Sequence, residues 1–194
     1  MSTIDYYDQN AQEYYERTVD ADLAEIREYF LGFLRRDARI LDFGCGSGRD
    51  TKYFLDRGFE ADAADGSEEL VRIASGYTGI EVRLMYFQDL DEKEAYDGIW
   101  ACSSILHLAY GELEDVFIKM ARALTSHGIL YTSFKYGTAE GERNGRYFTD
   151  MTEEKMDKLL KDVNSFDILE MWVTSDVRPG RAEEKWLNMI LRKK

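Results

Sequence analysis

The stretch Arg39-Ile40-Leu41-Asp42-Phe43-Gly44-Cys45-Gly46-Ser47-Gly48-Arg49-Asp50 restricts the fold more than any other part of the chain. Ile40, Leu41 and Phe43 form a short apolar run, as a parallel strand covered on both faces requires. Glycines at alternate positions follow. Glycine adopts positive φ freely and has no Cβ, so the turn can be sharp and a ligand can lie against bare backbone. Asp50 can cap the helix that follows, and Gly58 can end it.

Two common glycine loops are ruled out. A P-loop needs a Gly-Lys-Ser/Thr ending, which is absent, and the dinucleotide fingerprint needs a third glycine where Arg49 stands. What remains is Asp-x-Gly-x-Gly-x-Gly, carried by Asp42, Gly44, Gly46 and Gly48. This resembles the first motif of the class I S-adenosylmethionine-dependent methyltransferases. The resemblance implies that the turn, with Cys45 in it, lies under the methionine part of the cofactor. It also implies that Asp42 helps hold the amino-acid end. A tight strand–helix turn without a ligand is the alternative.

Composition narrows the partners. At 194 residues and 44% hydrophobic, the chain is one domain with a real core. A formal charge of −13 argues against a nucleic-acid surface, which needs a basic footprint. No apolar run approaches a membrane span, and Met1 to Asn10 lacks the apolar core of a signal peptide. Two cysteines, Cys45 and Cys102, make no disulfide framework, so a cytoplasmic chain is expected. With His107 they lack metal-type spacing, so two free thiols and no metal are expected.

Residues 1–36 precede the first strand and read as two helices, the second from Asp20 to Arg36 with Leu23, Ile26, Phe30, Phe33 and Leu34 at helical spacing. The pattern Tyr7-Asp8-x-x-Ala11-x-x-Tyr14 resembles the leading segment of many small-molecule methyltransferases. That resemblance implies a helical lid over a domain of residues 37–194, with Tyr7 and Tyr14 lining the cofactor pocket. Plain packing onto the sheet is the alternative.

Strand and helix then alternate. Strands are expected at 59–64, 82–86, 96–102, 129–134, 168–173 and 186–191. Helices are expected at 51–57, 68–75, 112–124 and 152–163, and a long loop at 135–148. Gly76 and Gly79 break the second of these helices, and His127 serves the end of the third. Alternation means a parallel sheet with helices on both faces. Only a loop, holding the sole proline Pro179, joins the last two strands, so the last must run antiparallel. This predicts a Rossmann-like, seven-stranded, mostly parallel α/β sheet, the class I methyltransferase layout.

Asp65-Gly66-Ser67 ends the second strand about twenty residues after the turn, where a carboxylate can accept both ribose hydroxyls. Ser67 could instead serve as a helix cap. The resemblance places Asp89 and Leu90 at the adenine, with a solvated turn aspartate as the alternative for Asp89, and Cys102 falls at the tip of the expected fourth strand. His107 follows in a loop facing the reacting centre, as a candidate base or a packing residue.

Ligands of open parallel sheets bind beyond the carboxyl ends of the strands. Lys135, Tyr136, Arg143, Arg146, Arg178 and Arg181 should reach that edge. From Lys135 to Phe148 three positive charges face two negative ones, against the trend of the chain. A small anionic methyl acceptor is therefore expected, unless these cations pair with nearby glutamates. DNA amino-methylating and cytosine C5 enzymes need a proline element absent here. The Cys-Gly-Ser-Gly-Arg-Asp run resembles the small tellurite- and thiol-type methyltransferases. A non-catalytic cofactor-binding protein acting through a partner, and a protein or tRNA methyltransferase, are the other readings.

Overall fold

The computed structural model describes residues 2–178 and 180–194, so Pro179 lies outside the described residues. Three helices open the chain, α1 (Thr3–Gln9), α2 (Ala11–Thr18) and α3 (Ala24–Leu31), where two were expected. Ser2 and Asp5 cap α1 reciprocally. Asn10 donates its side-chain amide to the Tyr6 carbonyl (2.7 Å), which ends α1 and divides the segment. The helix expected from Asp20 to Arg36 is confined to α3.

The alternating part runs β1 (Arg39–Phe43), α4 (Arg49–Asp56), β2 (Glu60–Asp65), α5 (Glu68–Thr78), β3 (Arg83–Leu84), β4 (Tyr96–Ala101), α6 (Tyr110–Ala123) and β5 (Leu124–Lys135). Then come β6 (Glu140–Arg143), β7 (Arg146–Thr149), α7 (Glu153–Val163), β8 (Phe166–Ser175) and β9 (Lys185–Lys193). Seven strands form one sheet in the order β3-β2-β1-β4-β5-β9-β8. β9 pairs antiparallel with both neighbours, as the short final connection requires. Strand order reverses between β1 and β4, the switch point at which open α/β sheets bind ligands.

Successive strand residues bury into opposite layers. Leu41, Phe43, Ile99, Ala101 and Leu130 pack in the layer that α6 and α7 fill with Phe117, Met120, Met156 and Leu159. Ile40, Trp100, Ile129 and Tyr131 face the other way, against Phe30 of α3 and Phe54 of α4. Trp100 and Tyr131 stack at 4.0 Å between centroids.

Local differences from the sequence reading have local causes. Gly76 does not break α5, which continues to Thr78 and ends at Gly79 in the left-handed conformation (φ 80°). His127 is not at a helix end. It lies, at φ 61°, where β5 slips register against β4. The expected loop 135–148 holds a hairpin, β6–β7, turned by Asn144 (φ 52°) and Gly145 (φ 76°). Two successive left-handed residues make the turn whose twist matches antiparallel strands.

Candidate active site

The glycine turn is pinned to the tip of β2. Gly44 and Cys45 both donate their N–H to the Ala64 carbonyl (2.8 and 3.0 Å), and Gly46 donates to Asp65 Oδ2 (2.9 Å). Gly44 sits at φ 83° and Gly46 at φ 55°. A Cβ at Gly44 would fall 2.5 Å from the Ser104 Cβ, and one at Gly46 would fall 3.0 Å from the Tyr14 ring. Only bare backbone fits here. Gly48 takes the N-cap position of α4 that was expected of Asp50.

Two cavities meet at this turn. The smaller, about 210 Å³, is lined by Gly46, Asp65, Gly66, Phe87 and Gln88 among others. Each Asp65 oxygen accepts one backbone N–H, Oδ2 from Gly46 and Oδ1 from Ser67 (3.0 Å). Each therefore keeps acceptor capacity for a further donor. Burial pushes the carboxyl up, against the pull of those N–H groups. Ser67 does not face the cavity. It is fully buried, accepts from Leu70 N–H (3.2 Å) as the cap of α5, and donates to Asp8 (2.6 Å). Asp89 and Leu90 are also displaced from their expected place, since neither lines the cavity. A short 3-10 turn, Phe87–Asp89, exposes Asp89, and Leu90 is buried in the core. Phe87 and Gln88 line the cavity instead.

The larger cavity, about 960 Å³, lies in the size range of small-molecule sites. Tyr7, Tyr14, Gly44, Ser103 and His107 line both cavities and mark their junction. Asp42, Cys45 and Cys102 line the larger one. Asp42 accepts from Thr51 Oγ1 (2.6 Å), and burial together with neighbouring Asp50 pushes its carboxyl up. Burial pushes the Cys102 thiol up to about 11 and raises Cys45 as well, so both are thiols at neutral pH. Among the described residues, no group of three or more His, Cys, Asp or Glu side chains could hold a metal ion.

Beneath this cavity is a charge network that sequence reading missed. Asp50 pairs with Arg49 (2.7 Å) and Arg27 (3.2 Å) and accepts from Trp100 Nε1 (2.9 Å). Burial raises the Asp50 carboxyl, but Arg49 and Arg27 outweigh it and hold it low. The only sequence signal was Arg27 beside Ile26 and Phe30 on a helix face that is otherwise apolar.

His107 ends a second 3-10 turn, Ile105–His107. Its Nδ1 lies 2.6 Å from the Tyr147 carbonyl, which can only accept, so Nδ1 carries the proton. Nε2 then presents its lone pair to the Tyr7 hydroxyl at 2.8 Å. The ring packs edge-on against Tyr7 and Phe148. Burial, with Arg146, Lys135 and Arg143 nearby, pushes its pKa down to about 4, so it is neutral at pH 7.

The predicted cationic rim sorts by pairing. Lys135 binds Glu184 (2.6 Å), Arg181 the same carboxylate (3.3 Å), and Arg178 forks onto Asp176 (2.9 and 2.5 Å). These three line the larger cavity with their charge already met. Arg143 is paired with Asp150, and Tyr136 is exposed and bonded to Glu153 (2.9 Å). Neither lines the cavity, because hairpin β6–β7 turns Arg143 away. Arg146 does line it, and among the described residues it has no carboxylate partner. Its guanidinium sits over Tyr6 (4.7 Å) and Phe148 (5.1 Å), and its buried Nε has no hydrogen-bond partner.

Residues 40–128 match the family model described as a methyltransferase domain. An uncharacterized methyltransferase of Staphylococcus carnosus is 26% identical over 155 residues, covering 72% of this chain and 75% of that protein. Many solved structures share the fold, and two carry the same bound product. One is the 1,6-didemethyltoxoflavin-N1-methyltransferase of Burkholderia thailandensis, bound to 1,6-didemethyltoxoflavin and S-adenosylhomocysteine (TM-score 0.76, 21% identity, 97% of this chain and 84% of that one). The other is the magnesium protoporphyrin IX methyltransferase of Synechocystis PCC 6803 with bound S-adenosylhomocysteine (TM-score 0.76, 16% identity, 98% and 97%). The chain is similar to methyltransferases in sequence over residues 40–128 and shares the class I methyltransferase fold over nearly its whole length. Residues 40–128 match a methyltransferase domain, and both neighbouring structures hold S-adenosylhomocysteine. The residues present fit S-adenosylmethionine: bare backbone at Gly44 and Gly46 opens to the junction, and Asp65 has acceptor capacity left for hydroxyl donors. Among the described residues no helix is long and apolar enough to cross a membrane.

Proposed function

We propose that the protein methylates a small anionic acceptor held in the larger cavity, with its anion on Arg146. The observation that carries this is the contrast along the rim, where five expected contacts are paired or turned away and, among the described residues, Arg146 alone of the six faces the cavity without a carboxylate. A planar guanidinium with free donors suits a carboxylate or similar oxyanion. The Burkholderia neighbour's small-molecule substrate supports an acceptor of that scale.

S-adenosylmethionine supplies a methyl group already activated on a sulfonium. The chain's own part is alignment and exclusion of water, and orientation alone can contribute ~7–11 kcal/mol. Asp65 and the glycine turn hold the nucleoside side. Tyr7 and Tyr14, from α1 and α2, stand between the two cavities, so residues 1–36 act as a lid over the domain 37–194. His107 at the junction is the candidate base.

Two measurements test this. Calorimetry with S-adenosylmethionine and S-adenosylhomocysteine reads the cofactor half. A panel of small phenols, thiols and amines, each with and without a carboxylate, is then scored by S-adenosylhomocysteine release. Carboxylate-bearing acceptors should turn over best, and Arg146→Gln should raise their KM about tenfold or more with cofactor affinity unchanged. Equal KM values for charged and uncharged acceptors, unaltered in the variant, would end the anion assignment.

A further inference from the structure

We propose that Tyr7 is a catalytic residue of this site: its phenol passes the acceptor's proton to His107 Nε2, with Arg146 steadying the oxygen during transfer. The inference rests on the methyl-transfer reading above and deepens it.

The geometry leaves His107 one route. Its Nδ1 proton is fixed on the Tyr147 carbonyl, and its single lone pair, on Nε2, is covered by the Tyr7 hydroxyl at 2.8 Å. An acceptor in the cavity therefore meets the Tyr7 oxygen before it meets the imidazole. That oxygen has lone pairs to spare, and Tyr7 lines both cavities. Arg146 Nη1 lies 3.4 Å from the same oxygen and favours negative charge on it. The ring is held by edge contacts with Tyr6 (5.7 Å), Tyr14 (5.2 Å) and His107 (5.5 Å). A phenol needed only for packing could be a phenylalanine. This one has both its donor and its acceptor directions assigned.

The step balances. The acceptor's X–H bond breaks, its proton goes to the Tyr7 oxygen, and the Tyr7 proton goes to Nε2. The electron pair left on X forms the bond to the methyl carbon, and the pair of the broken S–C bond stays on sulfur. The positive charge that began on sulfur ends on the imidazolium, which loses its proton to solvent. Arg146, Lys135 and Arg143 oppose that charge on an empty site, as does burial of the ring. An anionic acceptor on Arg146 offsets part of it, so the base strengthens when the acceptor is in place.

The test uses the full chain, which has two histidines, His107 and His127. Long-range proton–nitrogen spectra are recorded with S-adenosylhomocysteine bound, and His127→Gln assigns the signals. His107 should be neutral with its proton on Nδ1, and Tyr7→Phe should move the Nε2 signal downfield as it loses its donor. On the best carboxylate-bearing acceptor of the panel, Tyr7→Phe should lower kcat about 100-fold, the size of one acid–base contribution, with KM for S-adenosylmethionine within about twofold. A proton on Nε2, an Nε2 signal indifferent to Tyr7→Phe, or a variant with wild-type kcat overturns the relay. Failure of S-adenosylhomocysteine to bind the wild type is a different result, and it removes the methyltransferase reading itself.

Discussion

Acid should weaken this protein through one imidazole, and the size of the effect follows from its burial. The folded pKa of His107 is about 4, against about 6.5 for an unfolded histidine. Between those values the unfolded chain binds the proton and the folded chain does not, so stability falls as pH falls through that window. Integrating the two titrations from about pH 7.5 to about pH 4.5 gives a loss of about 2.5 kcal/mol from this residue alone. Carboxylates contribute their own dependence, so the comparison must be internal. His107→Gln cannot titrate, can still donate to a carbonyl, and leaves every carboxylate in place. Urea unfolding of both proteins at four or five pH values should show the variant losing about 2.5 kcal/mol less across the range, whatever its stability at neutral pH. Curves that stay parallel to within about 0.5 kcal/mol would refute the buried neutral imidazole.

Two further outcomes are expected. Asp65→Asn keeps the shape of the smaller cavity but loses the charge, and should weaken S-adenosylhomocysteine binding about 10- to 100-fold by calorimetry, the worth of charge-assisted hydrogen bonds. Asp50→Ala leaves Arg27 and Arg49 buried without their shared partner, and should cost about 3–5 kcal/mol in urea unfolding.

The fold was legible because its determinants are local. An apolar strand meeting alternate glycines, strands and helices in turn, and a last connection too short for a crossover leave one sheet topology. The glycine turn and its link to Asp65 were legible for the same reason, since Asp42, Gly44, Gly46 and Asp65 lie within one strand–helix–strand unit. What escaped depends on distant partners. Asp50 looked like a cap because Arg27 and Trp100 come from elements 23 and 50 residues away. Arg143 and Arg146 looked equivalent, yet only Arg143 finds Asp150 across the hairpin. The hairpin itself was announced by Asn144-Gly145, a turn signal that the surrounding polar residues masked.

The peptide groups of Tyr147 join parts of the molecule nearly the whole sequence apart. Its N–H donates to Thr3 Oγ1 (2.9 Å), and its carbonyl holds the His107 Nδ1 proton. A backbone contact survives almost any change of side chain, so residues 140–149 can be rewritten around it. Exchanging that ribbon would replace Arg146, the proposed anion anchor, while keeping the imidazole tautomer and the docking of the first helix intact. On the proposed function, the β-ribbon is a part that could be exchanged for a different acceptor while the glycine turn stays in place.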